Sequence, residues 1–377
     1  MKLWQIIALV AAGVLYGVAE PGRLTFAFGH ATLYVLLPAL LFEAAWSLSW
    51  RAMVRQWRAI LVLSVPGVAI TALIIAGALS IARVSFPSAL LTGAILSATD
   101  PIAVVAIFRR LPVPLMLSTI VECEALFNDA VAVVLYRAVL AFALAGAIGG
   151  AGLASIAGVA VAGSLGGIAI GVAVAFVIAW MLQNRSQEWL QIAATLVCAY
   201  GTYFLASSLQ CSGIFATIAS GIALRYFERR WVTLTVAEEV NRVWDVIALV
   251  ANVVVFFLVG AALDVSVVRE APVFIIASLA GVAVARGALS VLLVPGGYPR
   301  EWLDVVRAAG MRSALSVALA LALPDAVRDR QAIIAATFAV ALATIISSGI
   351  TVPRAVARVS KRIIRSEAGA HRPGGLA

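Results

Sequence analysis

Charge is what this sequence has least of. Only 12% of its 377 residues are Asp, Glu, Lys or Arg, against 63% hydrophobic. Soluble domains carry about 25% charged residues, so the scarcity excludes an ordinary water-soluble fold. Long polar blocks are missing too: apolar runs of roughly 20 residues, each enough to cross a bilayer as a helix, recur along nearly the whole chain. Cysteine is almost absent. Cys123, Cys198 and Cys211 fall in or beside apolar runs with no metal-ligand spacing, which excludes a thiolate metal centre and leaves buried free thiols. The two histidines, His30 and His371, lie outside every candidate site, so any response to pH must come from carboxylates.

What is present is an excess of arginine. The net charge of +9 raises the question of nucleic acid, but the placement answers it, because the basic residues sit in short loops between apolar runs. Twelve spans are predicted, at 3–19, 30–49, 58–81, 87–108, 115–143, 154–182, 188–207, 211–227, 240–262, 271–294, 301–323 and 331–351. With the N-terminus inside, the inner loops and the tail hold 17 Lys and Arg and the outer loops five. That bias predicts both termini on the cytoplasmic side of the cell membrane. MKLWQIIALVAAGVLYGVAE reads as a first span, too long in its apolar part for a cleaved leader. The Gly- and Ala-rich stretch 143–171 predicts close helix packing through small residues. The expected architecture is an all-α polytopic membrane protein. Residues 1–352 form the transmembrane domain, and 353–377 form a short basic tail lying on anionic lipid.

Against that background a few charges fall in mid-span: Glu43, Asp100, Glu122, Glu124, Asp129, Arg286 and Arg312. A charge at the bilayer centre costs about 2.5–3.5 kcal/mol on insertion scales unless it pairs or lines a wet cavity. The acids outnumber the bases, so pairing alone leaves carboxylates that need a proton or a cation.

Two stretches concentrate these residues. In ATDPIAVV, 98–105, Asp100 precedes Pro101 in the middle of a span. Proline removes an amide and disfavours helix at the residue before it. The helix should break there and free backbone groups that bind an ion if the break lines a cavity. In ECEALFNDA, 122–130, helical spacing puts Glu122, Ala125, Leu126 and Asp129 on one face and Glu124 with Asn128 on a neighbouring one. Asp129 is then free to face a cavity while Glu124 seeks a cation on another helix, and Arg312 in AAGMRSALSVALA is the best mid-span candidate.

Five segments together resemble the monovalent cation:proton antiporter-1 family, the NhaP/NHE-type sodium/proton antiporters. They are LLPALLFEAAWSL (36–48), SATDPIAVVAIF (97–108), ECEALFNDAVAVVLY (122–136), VARGALSV (284–291) and GMRSALSVALAL (310–321). The resemblance covers about residues 30 to 350. It implies an inverted-repeat fold with a broken, crossing helix pair, and a secondary antiporter rather than an enzyme, with no cofactor. It also implies a carboxylate, Asp129, that holds either a proton or Na+. Asp100 and Thr99 are implied as further ligands of the ion. Asn128 is implied at a position that is acidic in electrogenic relatives, which fits electroneutral one-for-one exchange. Glu124 with Arg312 is implied as a structural ion pair, Arg286 as an anchor of the crossing, Glu43 as a residue of the ion path, and a homodimer as the assembly.

The chain departs from the family pattern in three places. Ala125 stands where a serine is usual, so one ion-ligating oxygen is missing; Cys123 replaces a glycine; and Glu122 is additional. Seven residues at about 1.5 Å rise put Glu122 roughly 10 Å from Asp129, too far to share one ion but close enough to draw cations toward it. Sodium, and with it lithium, is the expected cargo. Potassium/proton exchange is the alternative, and Ala125 keeps it open. An intramembrane aspartyl protease using Asp100 and Asp129 and a transport-dead sensor are the remaining rivals.

Overall fold

The computed structural model describes residues 3–20, 32–100, 102–108, 111, 113–145, 150–183, 187–231, 237–261 and 271–370. Pro101, Arg109, Arg110, His30 and His371 lie outside the described residues. The described chain is helical throughout: α1 (Leu3–Ala19), a π-helical turn (Thr32–Leu36) running into α2 (Leu37–Ser47), α3 (Trp50–Arg55), α4 (Trp57–Ser64), α5 (Pro66–Ile81), α6 (Phe86–Ile95), α7 (Ile102–Phe108), α8 (Leu115–Ala145), α9 (Gly150–Leu182), α10 (Glu188–Ser208), α11 (Gly213–Trp231), α12 (Ala237–Ala261), α13 (Pro272–Leu292), α14 (Arg300–Ala308), α15 (Ala314–Leu321) and α16 (Arg330–Ala370). Prolines mark several of these starts. Pro87 and Pro272 each sit in the first turn of a helix that follows non-helical chain, where a missing amide costs nothing, whereas Pro38 and Pro66 fall where one helical segment runs into the next.

Each of the twelve expected segments contains helix among the described residues. Seven helices among the described residues are long and apolar enough to cross a membrane, from Trp57–Ile81 to Arg330–Lys361. The shortfall has a physical origin. Two of the expected spans are each built of two short helices, α6 with α7 and α14 with α15, separated by non-helical chain. α11 ends in Arg229 and Arg230. The last helix differs most from expectation. It does not stop near 351 but continues through Pro353 to Ala370. Val352, Ala355, Val356 and Val359 are buried in one apolar cluster with Val305 and Val306 of α14. The first turns beyond 352 are therefore packed against α14.

The helices pack in two groups. In one, α9 lies along α11, which also carries α10 and α2, and α1 lies along α12. Gly171 of α9 sits so close to the Ala216 carbonyl of α11 that a Cβ would collide with it, which is the close approach its small residues foreshadow. In the other group α5 is packed between α6 and α13, α8 lies on α6, and α16 supports α13, α14 and α15. Contacts near the helix ends also sort into two sets. The Ser88 hydroxyl donates to the Arg328 carbonyl at 3.1 Å, and the rings of Tyr34 and Phe204 stack at 6.5 Å. Tyr298 donates to Gln56 Oε1 at 2.5 Å, and Arg358 pairs with Asp304 at 2.6 Å. Each pair joins segments that the arginine bias assigns to the same side.

Candidate ion-binding site

The two broken spans meet at their breaks. α6 ends at Ile95, closed by the Leu96 amide on the Thr92 carbonyl at 2.8 Å, and the chain from Ala98 to Asp100 runs without helical hydrogen bonds before α7. Thr99 and Arg312 form an isolated antiparallel bridge, in which the Asp100 amide donates to the Met311 carbonyl at 2.9 Å. The break is thus several residues wider than the proline alone requires, because the freed backbone is satisfied by the other break rather than by its own helix. The Arg312 amide donates to Thr344 Oγ1 of α16 at 3.1 Å, and Ser313 caps α15 by accepting from the Ser316 amide. Arg312 extends Nη1 to the Ser97 carbonyl at 3.4 Å. It places a cation among the carbonyls at the C-terminal end of α6, where the helix dipole is negative.

α8 supplies the carboxylates, and its face divides as the spacing predicts. Glu124 and Asn128 are buried. Asn128 Nδ2 donates to Thr99 Oγ1 at 3.2 Å and faces Glu124 Oε1 at 3.5 Å; a nitrogen toward a carboxylate fixes the orientation of the amide. Asp129 is half-exposed as a residue, yet its Oδ1 is buried, and so is the Oδ1 of Asn128. Both oxygens lack a hydrogen-bond donor among the described residues. The Ser313 hydroxyl and the Thr99 amide approach the Asp129 carboxylate from the crossing, and Asp100 and Glu124 are its like-charged neighbours. Two buried oxygens without donors, on consecutive residues of α8 and with other carboxylates around Asp129, suit a hard cation or a proton. Left without either, each buried acceptor costs about 1–3 kcal/mol.

One expectation needs correcting. Glu124 does form a buried ion pair, but with Arg286 Nη1 of α13, at 3.1 Å, and not with Arg312. The reason is steric. Gly310 leaves room at the crossing for the Arg286 guanidinium, and a Cβ there would clash with Arg286 Nε. Arg312 lies two residues further along the break and reaches the Ser97 carbonyl of the opposite break instead. The structure brings together Thr99, Asp100, Glu124, Asn128, Asp129, Arg286 and Arg312. Glu43 is half-buried on α2, in the other helix group, and Glu122 lies two turns from Asp129 at a half-buried position. Little in the sequence points to Thr344 or to the Ser97 and Met311 carbonyls, since backbone acceptors carry no residue signature. Ser313 was visible as a small residue beside Arg312 but not as a neighbour of Asp129.

The family described as "Sodium/hydrogen exchanger, transmembrane" matches residues 1–358. The Na(+)/H(+) antiporter ApNhaP of Aphanothece halophytica is 32% identical over 336 residues, which is 87% of this chain and 64% of that protein. The low-affinity Na(+)/H(+) antiporter NhaS1 of Synechocystis is 31% identical over 330 residues, covering 84% and 62%. The chain therefore spans less than two thirds of the length of either relative. The sodium proton antiporter MjNhaP1 of Methanocaldococcus jannaschii, solved at pH 8, shares the fold with a TM-score of 0.79 at 19% identity, over 94% of this chain and 92% of that one. With crossing breaks, a carboxylate-bearing helix beside them and a family match over nearly its whole length, the chain belongs to the sodium/hydrogen exchanger family.

Proposed function

We propose that the protein exchanges a monovalent cation, Na+ or Li+, for a proton across the cytoplasmic membrane, and that Asp129 binds either ion in turn. The observation that carries this reading is the buried Oδ1 of Asp129, without a hydrogen-bond donor among the described residues, beside the crossing of two broken helices. A cation would take oxygens from Asp129, Asn128, Thr99 and Asp100. The Ser313 hydroxyl, which faces Asp129, would supply the oxygen that Ala125 cannot. A proton would take the same Asp129 oxygen alone.

Exchange follows from competition. A carboxylate out of water is costly to leave charged, so the site crosses loaded and resists crossing empty. Rocking of one helix group against the other would carry the loaded site between the two sides. Asn128 is neutral at a position that the resemblance makes acidic in electrogenic relatives, which favours one cation for one proton. Glu124 and Arg286 hold α8 against α13, while Arg312 pins the crossing. Glu122 and Glu43 would gather cations on the way in, both termini would be cytoplasmic, and the assembly would be a homodimer.

The test is proton movement in proteoliposomes with an imposed pH gradient, with sodium, lithium or potassium added in turn and the membrane potential free or clamped. Sodium and lithium should dissipate the gradient, and clamping should change nothing. Potassium as the sole active ion would reassign the cargo. A clamp-sensitive rate would overturn the one-for-one stoichiometry. No proton movement with any cation would overturn transport at this site.

A further inference from the structure

Away from the crossing, a cavity of about 510 Å³ opens between the α2–α3 corner and the last turns of α11, lined in part by Trp50, Arg51, Arg225, Tyr226, Arg229 and Arg230. Among the described residues no carboxylate lines it. Four arginines around one opening is an arrangement that the exchange reaction does not use. The volume falls within the roughly 300–1,000 Å³ typical of small-ligand sites.

The floor is rigid. Arg225 pairs with Glu228 at 2.6 Å, and its guanidinium carbon lies 4.8 Å from the centre of the Trp46 ring. Trp46 is itself held by a 2.8 Å hydrogen bond to Asn241. Arg225 Nε is buried without an acceptor among the described residues, so the floor keeps an unused donor. Arg51, Arg229 and Arg230 are exposed around the opening. Planar guanidinium forks suit the oxygens of a phosphate group.

The rim shows which phosphate. Trp50 and Tyr226 pack together at 5.4 Å and are both exposed, as are Val54 and Trp57 just beyond them. Exposed Trp and Tyr beside arginines mark the depth of lipid headgroups, and the apolar side chains give acyl chains a surface to lie on. We propose that this cavity binds the phosphate of an anionic phospholipid headgroup and thereby ties the α2–α3 corner to α11. A free phosphate ion offers the same group to the arginines but gains nothing from Trp50, Val54 and Trp57.

The experiment is thermal unfolding of the full chain, purified in detergent, with phosphatidylglycerol, phosphatidylcholine or inorganic phosphate added at equal phosphate concentration. It compares wild type with Arg51→Gln/Arg229→Gln/Arg230→Gln and with Arg300→Gln, a basic residue outside the cavity. Phosphatidylglycerol should raise the unfolding temperature of wild type and of Arg300→Gln by several degrees, and the triple variant should lose at least half of that shift. If the triple variant does not fold, Arg230→Gln alone replaces it, with a smaller shift than wild type expected. An equal shift in every variant, or none in wild type, overturns the site. A full shift with inorganic phosphate, or with phosphatidylcholine, overturns its assignment to an anionic lipid.

Discussion

Arg286 is held from two directions: its Nη1 lies 3.1 Å from Glu124 Oε1, and its Nε is pressed against Gly310, where no side chain fits. The pair ties α8 and α13 to the break before α15. Removing one partner of a buried pair leaves the other charge unbalanced, at about 3–5 kcal/mol. Glu124→Gln should therefore destabilise the purified protein strongly, as a drop in unfolding temperature. Gly310→Ala should act through the same contact by pushing Arg286 off Glu124. The combination Gly310→Ala/Arg286→Gln should then be little worse than Arg286→Gln alone, because the second change has nothing left to break. Additive losses would show that Gly310 serves the backbone crossing rather than the ion pair.

Asp129→Asn should leave the fold intact and stop exchange. Asp129 Oδ1 has no hydrogen-bond donor among the described residues, so an amide of the same shape breaks no bond at that atom. The unfolding temperature should stay near the wild-type value while cation-driven proton movement falls to background. Wild-type exchange in a folded Asp129→Asn protein would remove Asp129 from the mechanism.

Ser313 carries two jobs that can be separated. It caps α15, a contribution of about 1 kcal/mol, and its hydroxyl faces Asp129. Ser313→Ala should cost that much stability and also raise the sodium concentration for half-maximal exchange several-fold. Ser313→Thr keeps both roles and should behave as wild type. Ala125→Ser, made in the Ser313→Ala background, should restore sodium affinity in part without restoring the cap. If it restores neither, the hydroxyl is not a ligand.

How much of this was written in the sequence differs by kind of interaction. Spacing on α8 separated Asp129 from Glu124 and Asn128, because helical periodicity alone fixes which residues share a face. Asp100 before Pro101 announced a break, since proline acts on its own neighbour. The identity of Glu124's partner was not legible. Arg286 and Arg312 are both mid-span, and the choice between them rests on the room left at Gly310, a fact of three-dimensional packing. The length of the last helix is hard to read from the sequence for a related reason. A proline and a run of basic residues look like an ending, but Val352, Val356 and Val359 keep an apolar stripe that finds α14 to pack on.

That stripe gives the last prediction. Arg358 pairs with Asp304 at 2.6 Å, but both side chains are partly exposed, at 59% and 35%. Exposed pairs contribute about 0–1 kcal/mol, so Asp304→Asn should change stability little and less so in high salt. The buried valines are another matter. Each contributes about 1.5–3 kcal/mol when removed from water, and Val352, Val356 and Val359 are at 1%, 0% and 2% exposure. A chain ended after Lys361 should unfold near the temperature of the full chain. A chain ended after Thr351 should lose several kcal/mol, seen as a large fall in that temperature and in the yield of monodisperse protein. Equal behaviour of the two truncations would mean that residues 352–361 only rest against α14 and that the bundle is complete without them.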